Sequence, residues 1–260
     1  MDIIREKGQR YSGTLAENLP FHLRRCSRRA CATDMTRLLD RFTAEDRWIA
    51  GSMAVTMGGI ITGALRGEPR AFGTTAFGVI GLLLIGWRVT RSLRLGWLLV
   101  AGLIAGVLEL WADWLHVVYF QSLVYTDYFG FRVLASPSYM PVGWWLTVVQ
   151  FGYLGLRVAE NRSFWFAVVL VTGAGLLLPP WYEELAFRAG AWYYRPGQLM
   201  VGHTPVWIIF TYGGCSFAIA TLALVFYRPR AWGRAALAGL FTAASLMFSS
   251  VFWYSILGRS

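Results

Sequence analysis

Long apolar stretches alternate with short polar ones over most of the chain. They lie at about 47–64, 72–88, 96–119, 140–158, 164–180, 205–227 and 233–256. Each approaches or exceeds the roughly 20 residues that cross a bilayer core as a helix. Their recurrence predicts an all-α fold, a polytopic membrane bundle of about seven transmembrane helices over residues 46–260. Residues 1–45 break the pattern and read as a separate basic tail centred on HLRRCSRRACATD. That tail is either disordered or, from about Met35, an amphipathic helix (TRLLDRF) on the membrane surface. It holds no apolar run of the secretory-signal kind.

Two connections stand out for their length and aromatic content. QSLVYTDYFGFRVLASPSYMP joins spans three and four, and WYEELAFRAGAWYYRPGQLMVGHTP joins spans five and six. Pro179 and Pro180 are expected to end or kink span five just before the second. Both connections follow acidic residues, pass through glycine and aromatics, and re-enter the apolar region at Pro-Val: Pro141-Val142 in one, Pro205-Val206 in the other. A duplicated two-helix unit and independent convergence of interfacial loops both explain the likeness.

Composition supports the membrane reading. Charged residues make up 15% of the chain and hydrophobic ones 56%, against roughly 25% charged in soluble domains. The formal charge of +10 is almost all arginine, Lys7 being the only lysine. Arginines 88, 91 and 94, then 157 and 162, then 228, 230 and 234 fall in loops that alternate onto one face with the basic tail. By the positive-inside rule this is the cytoplasmic face of a cell membrane, with the N-terminus inside and the C-terminus outside. The charge is thus a topology signal, and no nucleic-acid partner is expected. Cys26, Cys31 and Cys215 lack the spacing of a zinc site and read as reduced.

The chemistry is carried by polar residues set in apolar surroundings. Glu109, Asp113 and His116 stand at i, i+4 and i+7, one stripe of a helix. Ionisable groups at membrane depth turn inward, so the stripe predicts an interior site. A second acidic group, Glu183-Glu184, reaches the same face, with Arg188 one turn beyond Glu184. A carboxyl in a low-dielectric pocket, or beside another carboxyl, holds its proton nearer neutrality and becomes an acid catalyst. Glu109, Asp113, Glu183 and Glu184 are therefore the candidate proton donors and acceptors, with His116 or His203 as shuttle. Trp111, Trp114, Tyr119, Trp192, Tyr194 and Trp207, together with Arg188, are the candidate substrate-binding residues, since ring faces stabilise cations. The competing readings are an interfacial aromatic belt, a structural polar cluster and a metal site, though a complete ligand set is not evident. No cofactor is expected; the expected partner is a membrane lipid or isoprenoid.

Pro179-Pro180-Trp181-Tyr182-Glu183-Glu184 resembles the Pro-x-Glu-Glu signature of small membrane lycopene cyclase domains, with one extra residue after Pro180. The acidic helix end, the Gly-aromatic-x-Tyr run and the later proline are also similar to membrane carotenoid hydratases. These resemblances, confined to about residues 105–215, imply an all-helical enzyme of isoprenoid metabolism acting on a polyene without a redox cofactor. Glu183, Glu184 and Arg188 also resemble the Glu-Glu-x-x-x-Arg motif of CAAX-type intramembrane proteases. That reading ranks lower: no histidine follows His203, and Leu199 stands where an aromatic is expected. The rival class is a non-enzymatic membrane protein, a small transporter or a complex subunit, whose buried acids form a proton path or join helices.

Overall fold

The apolar stretches become seven long helices in the computed structural model, which describes residues 42–126 and 129–258. The expected tail helix near Met35, and Cys26 and Cys31, lie outside the described residues. The helices are α1 (Ala44–Arg66), α2 (Arg70–Thr90), α3 (Leu93–Trp114), α4 (Met140–Asn161), α5 (Phe164–Ala189), α6 (Val206–Phe226) and α7 (Trp232–Leu257). A π-helical turn, Leu115–Tyr119, prolongs α3.

Six of the helices are long and apolar enough to cross a membrane. The exception is α4, of similar length at 22 residues. Its polar groups are spent inside the protein: Gln150 bonds Ser52 and Thr56 of α1, and Arg157 bonds the buried Asp46 of α1. Protein, more than lipid, is the solvent of this helix, which packs against α3, α5 and α6.

Local chemistry sets the helix ends. Ser92 and Ser163 cap α3 and α5, their hydroxyls accepting from the amides of Leu95 and Phe166. Gly190 ends α5 in the left-handed conformation at φ 69°. Of the two outcomes expected of the prolines, an end or a kink, the first does not occur: the helix runs nine residues past Pro180. A proline forfeits one hydrogen bond and crowds the carbonyl four residues back, a cost that membrane helices carry where neighbours hold them in line. Here Gly175 sits so close to α6 that a Cβ would come within 2.1 Å of Ser216 Oγ.

Small residues also fix α3 on α4. A Cβ at Gly102 would meet the Trp145 ring at 2.5 Å, and one at Gly106 would meet the Pro141 carbonyl oxygen at 2.1 Å. Small residues four apart allow such close approach of membrane helices. The result brings the start of α4, with Trp144, beside the acidic end of α3.

On that side of the bundle the two long connections fold alike. Each has a short strand, β1 (Leu123–Tyr125) or β4 (Trp192–Tyr194), followed by a small hairpin: β2 (Arg132–Val133) with β3 (Ser136–Pro137), or β5 (Met200–Val201) with β6 (Thr204–Pro205). β1 and β4 pair antiparallel, Val124 opposite Tyr193. The hairpins correspond as Val133-Leu134-Ala135-Ser136-Pro137 and Val201-Gly202-His203-Thr204-Pro205, with left-handed residues at Leu134 (φ 56°) and Gly202 (φ 61°). Pro137, not Pro141, is therefore the counterpart of Pro205. Helix, strand, hairpin and helix recur in the same order, and the two strands pair antiparallel. This is the arrangement of a repeated unit, α3–α4 and α5–α6.

Candidate functional site

The β1–β4 ribbon explains which residues face inward. Side chains alternate across a strand, so Leu123 and Tyr125 of β1 share one face with Trp192 and Tyr194 of β4, and all four line a cavity of about 50 Å³. Val124 and Tyr193 point the other way. The ribbon is thus a roof over a chamber walled by α3, α4, α5, α6 and α7.

Three carboxyl groups and an imidazole enter that chamber: Glu109, Asp113 and His116 from α3 and its π turn, and Glu183 from α5. Their residues are 2%, 8%, 4% and 3% exposed. Buried ionisable groups require partners, and most are found. Tyr125 Oη donates to Asp113 Oδ2 at 2.6 Å. Trp192 Nε1 donates to Glu183 Oε2 at 2.6 Å, and Tyr212 Oη reaches Glu183 Oε1 at 3.5 Å. Tyr194 also lies within hydrogen-bonding reach of Glu183. Glu109 sits against Asp113 and Trp144, and its Oε2 has no partner. His116 Nδ1 lies 2.9 Å from Ser122 Oγ, while Nε2 is unpartnered. Its ring stacks on Trp207, centroids 4.3 Å apart at 14°.

The repeat is visible in the chemistry. Asp113 is held by Tyr125 of the following strand, and Glu183 is approached by Tyr194 at the matching place in the other strand. The Asp113–Tyr125 interval is one residue longer, and the π turn, with its wider i→i+5 bonding, falls within it. Burial together with the nearby carboxyls raises both phenols well above the usual tyrosine range, so each remains a donor.

Glu184 does not join this group. Successive helical residues point about 100° apart, and the Glu184 carboxyl faces outward, bonded to Arg188 Nε at 2.8 Å and 2.6 Å from His203 Nδ1. His203 stacks on Phe187 at 3.6 Å. Glu184, Arg188 and His203 form a separate surface cluster, so the expected meeting of both Glu183 and Glu184 with Glu109 is corrected to Glu183 alone. Of the expected aromatic residues, Trp192, Tyr194 and Trp207 line the chamber. Trp111 and Tyr119 face outward at 54% and 69% exposure, and Trp114 packs edge-on to Trp111 away from the chamber. Tyr125, Ser122, Trp144 and Tyr212 were not among the expected site residues. Their places follow only from packing and from the strand pairing. Among the described residues, no three His, Cys, Asp or Glu side chains are grouped as a metal site requires.

A second cavity, of about 130 Å³, adjoins the first. It is apolar, bounded by α1, α2, α4 and α5, and shares Met140, Trp144 and Tyr212 with the acidic chamber. Trp144 and Tyr212 rings lie 5.2 Å apart in that common wall.

Fold and site together define a polytopic α-helical membrane protein with an internal, carboxyl-lined chamber beside an apolar one. The chain belongs to the family DUF6989, a domain of unknown function, whose model matches residues 110–257. That match takes in the repeated unit from the end of α3, and α7, and leaves out α1 and α2. Among curated proteins and among solved structures nothing matches the chain.

Proposed function

We propose that this protein is an integral membrane enzyme of isoprenoid or related lipid metabolism, using intramembrane carboxyls for acid–base chemistry of the cyclase or hydratase type. The observation that carries the reading is the convergence of Glu109, Asp113 and Glu183 from two helices on one chamber, separated only by Met140, Trp144 and Tyr212 from an apolar cavity. A lipophilic chain reaching the apolar cavity from the bilayer has its unsaturated part at that wall. A protonated carboxyl of the Glu109–Asp113 pair delivers a proton to an alkene carbon; the π electrons form the new C–H bond and leave a carbocation. The rings of Trp144, Trp192 and Tyr212, which line the chamber, are the groups that stabilise that charge. Proton loss from that cation to Glu183 completes an isomerisation; attack on it by the π electrons of a second double bond of the same chain forms the ring C–C bond, and proton loss from the new cation to Glu183 completes a cyclisation. Addition of water, with loss of its proton to Glu183, completes a hydration.

The continuous course of α5 through its prolines favours this reading over a transporter, in which unwound midplane segments hold the cargo. The arginine distribution supports a cell-membrane protein with the ribbon face outside and the N-terminus in the cytoplasm.

Lipid extracts of cells expressing Glu109→Gln, Asp113→Asn or Glu183→Gln, compared by mass spectrometry with wild type, test the proposal. We expect a lipid species changed by the wild-type protein to be unchanged by each variant, with a loss of rate of at least about 100-fold, while Glu184→Gln behaves as wild type. Wild-type cells and carboxyl variants with identical lipid profiles would overturn it.

A further inference from the structure

We infer that the two adjoining cavities form one bipartite binding site for an uncharged lipid alcohol, its chain in the apolar cavity and its hydroxyl in the acidic chamber. The inference rests on the proposed reading that the chamber is a substrate site, and it adds the substrate's chemical class.

Two buried polar atoms are suited to a hydroxyl. Glu109 Oε2 and His116 Nε2 are without partners, although their residues are 2% and 4% exposed, and such groups are costly to leave unpaired. Ser122 Oγ lies 2.9 Å from His116 Nδ1 and 3.4 Å from the His116 carbonyl oxygen, which also accepts from the Ser122 amide at 2.8 Å. Nε2 is an acceptor in one tautomer and a donor in the other. A hydroxyl, which both donates and accepts, satisfies Nε2 in either tautomer together with Glu109 Oε2, whereas an ether or ketone oxygen only accepts.

Charge decides what the ligand's polar end cannot be. Glu109, Asp113 and Glu183 face the chamber, and among the described residues no arginine or lysine lines either cavity. A phosphate or diphosphate there would be desolvated beside carboxyls with no cation to compensate it. Size agrees: at about 50 Å³ the chamber admits three or four water-sized groups, enough for a hydroxymethyl end. A prenyl chain must therefore arrive already stripped of its phosphate, placing a phosphate-removing reaction upstream.

Purified full-length protein in nanodiscs, followed by thermal unfolding, tests this with chain-matched probes: geranylgeraniol, its methyl ether and geranylgeranyl diphosphate. At saturation the alcohol is expected to raise the midpoint by about 5 °C, and the other probes to leave it within about 1 °C. His116→Phe, which keeps a ring against Trp207 but lacks Nε2, should abolish the alcohol's shift. Gly143→Phe is the control for a variant that misfolds: Gly143 borders the apolar cavity with open space at its Cβ, so the variant should retain the unliganded midpoint and lose the shift by blocking the chain. Equal stabilisation by ether or diphosphate, an unchanged shift in Gly143→Phe, or no response to any probe would each overturn the inference. A flat response alongside a lipid change in cells removes the alcohol assignment and leaves the acid–base reading standing; the reverse result removes the enzyme and keeps the binding site.

Discussion

Tyr125 Oη illustrates how much a single atom can matter in this chamber, since it is the donor to Asp113 Oδ2. Removing a donor from a buried carboxyl typically costs about 1–3 kcal/mol, so Tyr125→Phe should lower the unfolding midpoint measurably, while Tyr193→Phe on the ribbon's other face should not. The pH dependence has a definite sign. Because burial and the carboxyls raise the Tyr125 and Tyr194 phenols, the unfolded chain ionises them first. Their contribution is complete below the unfolded tyrosine value of roughly pH 10 and declines as pH rises past it. Alkaline unfolding of Tyr125→Phe should be less steep than that of wild type; equal slopes would show that the phenol is not held in the folded state. At this scale the sequence was partly readable. The spacing of Glu109, Asp113 and His116 placed them on one inward face because helical periodicity is local. Glu184 was misassigned because its direction depends on how far α5 continues beyond Pro180, a matter settled by contacts with α6.

Helices and strands were legible to different degrees. The apolar runs gave all seven helices, since length and hydropathy are properties of each segment alone. The β1–β4 pairing was not legible, because residues 123–125 and 192–194 are too short to carry a period and meet only in space. Within the helical layer, α3 and α4 depend on Gly106. Its Cβ would lie 2.1 Å from the Pro141 carbonyl oxygen, backbone that cannot rotate away. Gly106→Leu should therefore separate the two helices and destabilise by about 1–3 kcal/mol or more, read as loss of monodisperse protein on size exclusion. Gly78→Ala, where nothing lies within 4 Å, should be neutral or mildly stabilising.

For the molecule as a whole, the arginine pattern makes a claim about sidedness that can be checked in intact cells. With Cys26, Cys31 and Cys215 replaced by serine, a cysteine at Arg195, next to the ribbon, should react with a membrane-impermeant maleimide, and one at Arg228 should react only after lysis. The opposite pattern would invert the topology. The repeat shows why the chamber sits where it does: each half contributes one helix bearing an acid in its last two turns and one strand ending in a tyrosine, so the acids meet at the seam between halves. Glu109 breaks the symmetry, standing one turn before Asp113 where the other half has Pro179 one turn before Glu183.

The ribbon has a mechanical consequence. Tyr125 and Trp192 are direct cross-strand partners, and one grips Asp113 while the other grips Glu183. The two acids are thereby yoked through a short, stiff bar of backbone, and a tug on either is felt by its mate. Whatever pries the strands apart to admit a guest must slacken both grips at once, so access and acid alignment rise and fall together.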